Sequence, residues 1–304
     1  MIDKINFRHS IFFLILSILI TSFDYFRNSP FLFVCLVLVA SIGISHGALD
    51  NMKGAQLLKI FDMKSMLTFY VGYSAISILV ICVWLLSSTF LLFLFLLVAS
   101  YHFGKEDSEF LFQSKKFYLD ILFFLKGLVI ISAPLLFQYT DTINIFNTIG
   151  MNTDLFIFRD YSFIIFCFFI SIIASIAIVL IARNLYASIL IIDLFAILIL
   201  NYFLHPLFAF TLYFCFLHSV RHAFKLSSEL NKKNIIKGFH LFAIKAIPLT
   251  ILTGTLFLIS LFFLNDYYYL DSAISKVIFI GLASLTFPHI LLEYFLEKNE
   301  KQTN

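Results

Sequence analysis

Long apolar stretches alternate with short polar gaps along almost the whole chain. The hydrocarbon core of a bilayer is about 30 Å thick and needs roughly 20 apolar residues of helix for each crossing. Ten stretches approach that length, so the pattern predicts an all-α protein, a polytopic bundle of transmembrane helices. The predicted spans are 9–24, 30–50, 65–87, 88–104, 117–138, 161–183, 185–204, 206–224, 239–264 and 274–296.

Two of the polar gaps are weak, which leaves the number of spans open. One is the four-residue stretch 86–89 (Leu-Ser-Ser-Thr), and the other is His205-Pro206. If either gap lies inside a helix, the chain has eight or nine spans. The polar stretch 139–160 is long enough to hold a short helix at the membrane interface.

Basic residues fall unequally on the two sides of the predicted bundle. With ten spans, sixteen of the 21 Lys and Arg residues lie on one side, three lie on the other, and two lie within spans. Cytoplasmic loops carry an excess of Lys and Arg. The distribution therefore predicts ten spans in the cell (plasma or inner) membrane, with both termini in the cytoplasm.

Composition agrees with a membrane protein and excludes several other classes. The 304 residues are 61% hydrophobic and 13% charged, against about 25% charged residues in soluble domains. No polar block is long enough for a soluble domain, so residues 1–304 are predicted to form one transmembrane domain. The net charge of +3 is small and argues against nucleic acid as a partner, whereas the lipid bilayer is an obligate one.

Five of the eight histidines are predicted to lie near the cytoplasmic ends of spans. Spans 2, 4, 8 and 10 all run toward the cytoplasm, so side chains at these ends can meet at one depth. The five are His46, His102, His218, His222 and His289. The other three, His9, His205 and His240, are interpreted as interfacial or as lying on the opposite side.

Four of these histidines form a candidate metal site. His218 and His222 are four residues apart and share one helix face, and His46 and His102 lie at the same predicted depth. Imidazole suits iron, zinc, copper and nickel, and the lack of nearby thiols argues against structural zinc. The alternative is that the histidines form hydrogen bonds that join helices.

Carboxylates follow the histidines at about one helical turn. Asp50, Glu106, Asp107 and Glu293 could accept the second N–H of a ligating imidazole and fix its orientation, or they could be ordinary charges at helix ends. Two other polar residues belong to the candidate site or its substrate pocket. Arg221 would pair with a carboxylate or extend to the interface, and Tyr101 could donate a hydrogen bond.

As a group, these motifs resemble the Brp/Blh family of membrane β-carotene 15,15′-dioxygenases, the bacteriorhodopsin-related-protein-like enzymes. The matching segments follow the family's order with similar separations. They are His46-Gly47-Ala48-Leu49-Asp50, Tyr101-His102-Phe103-Gly104 with Glu106-Asp107, residues 216–222 (Phe-Leu-His-Ser-Val-Arg-His) and Pro288-His289. The sequence before His46 is where this chain would depart from shorter members.

The resemblance implies a non-haem iron enzyme that cleaves the central 15,15′ double bond of β-carotene with O₂ to give two all-trans-retinal molecules. It assigns the Fe(2+) ligands to His46, His102, His218 and His222 and gives no role to His289. It also implies a functional link to a microbial rhodopsin through the supply of retinal. The metal site would lie toward the cytoplasmic leaflet, and the substrate would lie obliquely with its centre in that leaflet.

Other functions explain fewer of these features. A proton- or metal-coupled transporter could use the histidines and carboxylates as a relay, but the chain shows neither repeated halves nor matched helix breaks. A di-iron desaturase or hydroxylase would need more histidine pairs than the one at His218 and His222. A haem protein with two axial histidines would leave the remaining histidines unexplained.

Overall fold

The protein is an all-helical bundle in the computed structural model. The model describes residues 2–27, 29–112, 116–153 and 160–303, and the side chains of Ile2, His46 and residues 300–303 are not described. Ten helices within these ranges are long and apolar enough to cross a membrane. They are α1 (Asp3–Thr21), α2 (Leu32–Ile60), α3 (Met66–Leu86), α4 (Ser88–Leu111), α5 (Phe117–Phe137), α6 (Tyr161–Ala182), α7 (Leu185–Phe203), α8 (Pro206–Leu230), α9 (Ile235–Asn265) and α10 (Leu270–Asn299).

Both weak gaps in the sequence are true helix breaks. Ser87 is extended between α3 and α4, with φ −152° and ψ 73°. His205 precedes Pro206, which begins α8, the position where a proline costs no helical hydrogen bond. The polar stretch after α5 contains a short helix, Tyr139–Thr148, as the sequence suggested. The prediction of about ten spans is thereby confirmed.

Several helices extend beyond their predicted ends on the side that holds the histidines. Helix α2 continues to Ile60 and α8 to Leu230, where the sequence predicted ends at residues 50 and 224. The extensions are polar, as in Asp50–Ile60 and Val220–Leu230, and hydropathy therefore does not detect them. The histidines consequently lie inside helices rather than at their ends.

Two of the helices contain wide turns close to the histidines. A π-helical turn at Val39–Gly43 and a 3₁₀ turn at Ile44–Leu49 interrupt α2. A second π-helical segment, Tyr213–Ser219, lies in α8. The two π-helical segments contact each other, and the Ser219 hydroxyl donates to the Gly43 carbonyl over 3.2 Å. Such π turns are rare and are frequent at functional sites.

Glycines bring two of the helices into backbone contact beside the site. A Cβ added at Gly104 of α4 would overlap the carbonyl of Phe123, and one at Gly127 of α5 would overlap the carbonyl of Ser100. Small residues at crossings allow this close approach in membranes, where packing replaces the hydrophobic effect as the force between helices. The crossing fixes α4, which carries His102, against α5.

Helix α8 is the most buried of the ten and α9 the least. Contacts between α1 and α8, and between α10 and both α2 and α4, place both ends of the described chain on the side of the bundle that holds the histidines.

Candidate metal centre

Four histidines from three helices form one buried cluster. The ring of His102 lies 5.3 Å from that of His218 and 5.5 Å from that of His289, measured between centroids. The rings of His222 and His289 are 6.1 Å apart. All four residues are at most 5% exposed. The structure therefore brings four of the five predicted histidines together, while the side chain of His46 lies outside those described.

Two consecutive carboxylates of α4 bind the two histidines of α8. Nδ1 of His218 lies 3.2 Å from Oδ1 of Asp107, and Nδ1 of His222 lies 2.7 Å from Oε2 of Glu106. Carboxylates thus lie beside imidazoles as the sequence suggested, and both of these pairs join α4 to α8. Since the carboxylate bonds Nδ1, Nε2 is the nitrogen through which either ring would bind a metal.

Asp107 and Glu106 are themselves held by further polar groups. The Tyr213 hydroxyl donates to Oδ2 of Asp107 over 2.7 Å. Lys225 lies 3.2 Å from Glu106 and 2.6 Å from Glu109. These contacts compensate the buried carboxylates, whose charges would otherwise be costly in a membrane interior.

His289, which the sequence left without a role, joins the cluster through Asp50. Its Nδ1 lies 2.9 Å from Oδ1 and from Oδ2 of Asp50, and the Tyr73 hydroxyl donates to Oδ2 over 2.8 Å. A Cβ added at Gly47 would lie 3.9 Å from Nδ1 of His289. The backbone next to His46 thus passes directly beside this pair.

One group of ligand atoms within the described side chains has the spacing of a metal site. Atoms of His102, His289 and Glu293 lie within 4.8 Å of one another, and Nε2 of His289 is 3.7 Å from Oε2 of Glu293. Lys53 forms an ion pair with Glu293 over 2.7 Å. This group shares only His102 with the ligands expected from the sequence, and the expected set stays a prediction.

Arg221 forms a buried ion pair beside the metal cluster, and its Nη1 donates to the carbonyl of Asp107 over 3.5 Å. Its Nη2 lies 2.8 Å from Oδ2 of Asp193 in α7 and donates to the Ser10 hydroxyl over 2.8 Å. Asp193 was not among the expected site residues. Its position within an apolar span was the available signal, because ionisable residues there are seldom accidental.

Tyr101 donates to Asp120 of α5 over 3.0 Å.

A large cavity opens beside the cluster. It has a volume of about 890 Å³, and its walls include His102, His218, His222, Glu106 and Tyr101. This volume falls within the range of about 300–1,000 Å³ typical of ligand sites. A ligand of substantial size could therefore reach the histidines.

A second, smaller cavity extends into the apolar interior of the bundle. It has a volume of about 60 Å³ and is lined by apolar side chains that include Phe95, Phe103, Phe210 and Phe279. Stacked rings connect it to the cluster: Phe279 lies on Phe210 at 6.2 Å, Phe210 on Phe214 at 5.6 Å, and Phe214 on His218 at 5.9 Å. A row of aromatic rings thus runs from His218 to the smaller cavity.

Of the three histidines set aside in the sequence, two lie away from the cluster. The third bonds to α8, the helix that carries His218 and His222. His240 is exposed on α9. His205 lies between α7 and α8 at the opposite end, where burial lowers its pKa. His9 donates through Nε2 to the carbonyl of Phe216 over 2.8 Å, so its interpretation as a purely interfacial residue was incomplete.

Comparison with known proteins gives two matches. A family model described as beta-carotene 15,15′-dioxygenase matches residues 37–297. A curated protein named beta-carotene 15,15′-dioxygenase, from the uncultured marine bacterium 66A03, is 28% identical over 272 residues, which cover 86% of this chain and 92% of that protein. No solved structure matches. The matched segment contains all the clustered histidines, while α1 lies before it.

Proposed function

Because the chain belongs to the β-carotene 15,15′-dioxygenase family, we propose that it cleaves β-carotene at the central 15,15′ double bond with O₂ and one bound Fe(II). The products are two molecules of all-trans-retinal, and one O₂ per β-carotene balances the reaction. The observation that carries the proposal is the buried cluster of histidines beside a cavity of about 890 Å³.

The donor set fits iron. Imidazole nitrogens and carboxylate oxygens are ligands that non-haem iron accepts, and the matched segment offers no clustered thiolates that would favour zinc. We assign His46, His102, His218 and His222 as ligands, with Asp107 and Glu106 fixing the orientation of the last two through Nδ1. When bound, the metal supplies the redox chemistry with O₂.

The chain's own residues bind the substrate, orient it and exclude water. The stacked rings of Phe279, Phe210 and Phe214 offer an apolar surface that ends at His218, which suits one arm of a rigid polyene. The larger cavity would hold the other arm, so that the central bond lies beside the histidines. The cluster lies toward one end of the bundle, and this geometry favours an oblique substrate over one that stands upright at mid-bilayer.

The proposal is tested by metal content and product formation in the purified protein. We expect about one iron per chain and conversion of β-carotene to retinal with consumption of O₂. His218→Ala and His222→Ala should each lose iron and at least about 100-fold in turnover, since each removes a ligand together with its bonded carboxylate contact.

A matched control is His240→Ala, which removes an exposed histidine of α9 and should leave iron content and turnover unchanged. Full turnover in both His218→Ala and His222→Ala would rule out the ligand assignment. Ion flux in liposomes without any formation of retinal would instead favour the transporter considered from the sequence.

A further inference from the structure

Helix α1 reaches the metal cluster although it precedes the segment that the family model matches. The match begins at residue 37, whereas α1 spans Asp3–Thr21. Its first turns carry three polar residues that face the site: Asn6, His9 and Ser10. Asn6 and Ser10 are 3% and 0% exposed, so they face the bundle rather than solvent.

His9 supports the wide turn that carries His218. Its Nε2–H donates to the carbonyl of Phe216, which lies within the π-helical segment Tyr213–Ser219. Its ring also packs edge-on against Phe224 of α8 at 5.6 Å. Because a π turn departs from the regular hydrogen-bond ladder of an α-helix, a bond from outside helps to fix its shape.

Ser10 fixes the residue between the two histidines of α8. The Ser10 hydroxyl accepts a hydrogen bond from Nη2 of Arg221 over 2.8 Å, and the same nitrogen lies 2.8 Å from Asp193 of α7. Removing one partner of a buried guanidinium strongly destabilises a protein. The bond therefore joins α1, α7 and α8 at the level of the cluster.

Asn6 extends α1 to the wall of the large cavity. It lines the cavity of about 890 Å³ together with His218 and His222. Among the described residues, its Oδ1 is buried and makes no hydrogen bond. Helix α1 therefore does more than fill space at the edge of the bundle, because it forms part of the site's wall.

We propose that α1 is a positioning element of the metal centre, in which His9 and Ser10 hold the segment 213–222 so that His218 and His222 point at the metal. The inference rests on the proposed function, since it takes these two histidines as ligands. It adds to the functional unit a helix that lies outside the family-matched segment.

The test compares variants that remove one bond and keep the packing. His9→Phe keeps an aromatic ring against Phe224 and loses the donor, while His9→Gln keeps an N–H donor. Ser10→Ala loses the hydroxyl, and Ser10→Thr keeps it. We measure the iron dissociation constant by chelator competition, the absorption spectrum of the Co(II)-substituted protein, and kcat and KM for β-carotene.

We expect His9→Phe and Ser10→Ala to bind iron about three- to tenfold more weakly, less than the 10–100-fold typical for groups that bond a ligand directly. Their Co(II) spectra should shift and kcat should fall more than KM rises. His9→Gln and Ser10→Thr should restore most of the wild-type values. The control is Ser17→Ala, because Ser17 is similarly buried on α1 and its hydroxyl donates to the carbonyl of Phe13 in its own helix rather than to another helix.

The outcomes separate the two proposals. Wild-type affinity and spectra in both His9→Phe and Ser10→Ala would overturn this inference and leave the proposed function intact. An equal loss in Ser17→Ala, or no recovery in His9→Gln and Ser10→Thr, would also overturn it, since the effect would then be general destabilisation. If the wild-type protein binds no metal, both proposals fall.

Discussion

At the scale of single residues, Asp107 organises one half of the metal cluster. Its two carboxylate oxygens accept from two different donors, Nδ1 of His218 and the Tyr213 hydroxyl. Both partners lie on α8, whereas Asp107 lies on α4 immediately before the short turn Glu109–Leu111. The residue is 3% exposed, so these protein contacts hold most of its carboxylate.

Asp107→Asn should weaken iron binding by about 10–100-fold, the usual effect of removing a carboxylate that bonds a ligating histidine. The side chain of Asn has one acceptor oxygen and one NH₂ group. The NH₂ group would face either His218 or the Tyr213 hydroxyl, both of which need an acceptor. His218 can then change tautomer and carry its proton on Nε2, the nitrogen proposed to bind the metal. Chelator competition in detergent measures the change.

The matched control is Asp266→Asn, which makes the same chemical change at an exposed position after α9. It should bind iron like the wild type. An unchanged dissociation constant in Asp107→Asn would show that this hydrogen bond does not orient a ligand.

Sequence reasoning found the residues of the cluster but not their pairs. Hydropathy and charge fix the depth of a residue in the membrane, so His102, His218 and Asp107 could be predicted to lie at one level. They do not fix which helices are neighbours. The sequence therefore did not indicate which histidine each carboxylate contacts, and it connected neither Asp50 to His289 nor Arg221 to Asp193.

At the scale of the elements, the crossing of α4 and α5 is the tightest contact close to the site. The glycines involved, Gly104 and Gly127, each face a backbone carbonyl of the other helix. Backbone atoms cannot move aside as the end of a flexible side chain can. Any side chain here must therefore separate the two helices.

Gly127→Ala should destabilise the protein by at least about 1–3 kcal/mol, the usual cost of overpacking a core, and should displace α4 with His102. Gly72→Ala is the matched control, because a Cβ at Gly72 of α3 meets no atom within 4 Å. Thermal unfolding in detergent compares the two variants. An equal midpoint for Gly127→Ala and Gly72→Ala would contradict the close crossing.

The helices themselves were predictable, whereas their irregular turns were not. The apolar stretches place α3, α5, α6, α7, α9 and α10 within four residues at each end. Polar residues extend α1 at its start, and α2, α4 and α8 at their ends, by six or more residues beyond the predicted limits. A π turn arises from one extra residue in a helical repeat, and neither Val39–Gly43 nor Tyr213–Ser219 carries a proline or another local signal for it.

At the scale of the whole molecule, the polar site and both ends of the described chain share one end of the bundle. Most basic residues lie at this end when the sequence is divided into ten spans. By the positive-inside rule, we expect this end to face the cytoplasm. Retinal would then form nearer the cytoplasmic surface than the outer one.

This orientation is tested by labelling single cysteines in a background without the native ones. Lys233→Cys lies between α8 and α9, and Tyr267→Cys lies between α9 and α10, at the opposite end; both positions are exposed. In intact cells, a thiol reagent that does not cross membranes should label Tyr267→Cys only. In inverted vesicles it should label Lys233→Cys only, and the reverse pattern would invert the topology.

The contacts of α1 also determine when this helix can complete its packing during synthesis of the chain. His9 and Ser10 bond to residues 207 and 211 positions later in the chain. A ribosome that adds 5–20 residues per second needs about 10–40 seconds to cover that distance. Helix α1 must therefore keep its polar turns hydrated, or shielded by other proteins, until α8 is made, because it cannot complete its packing before then.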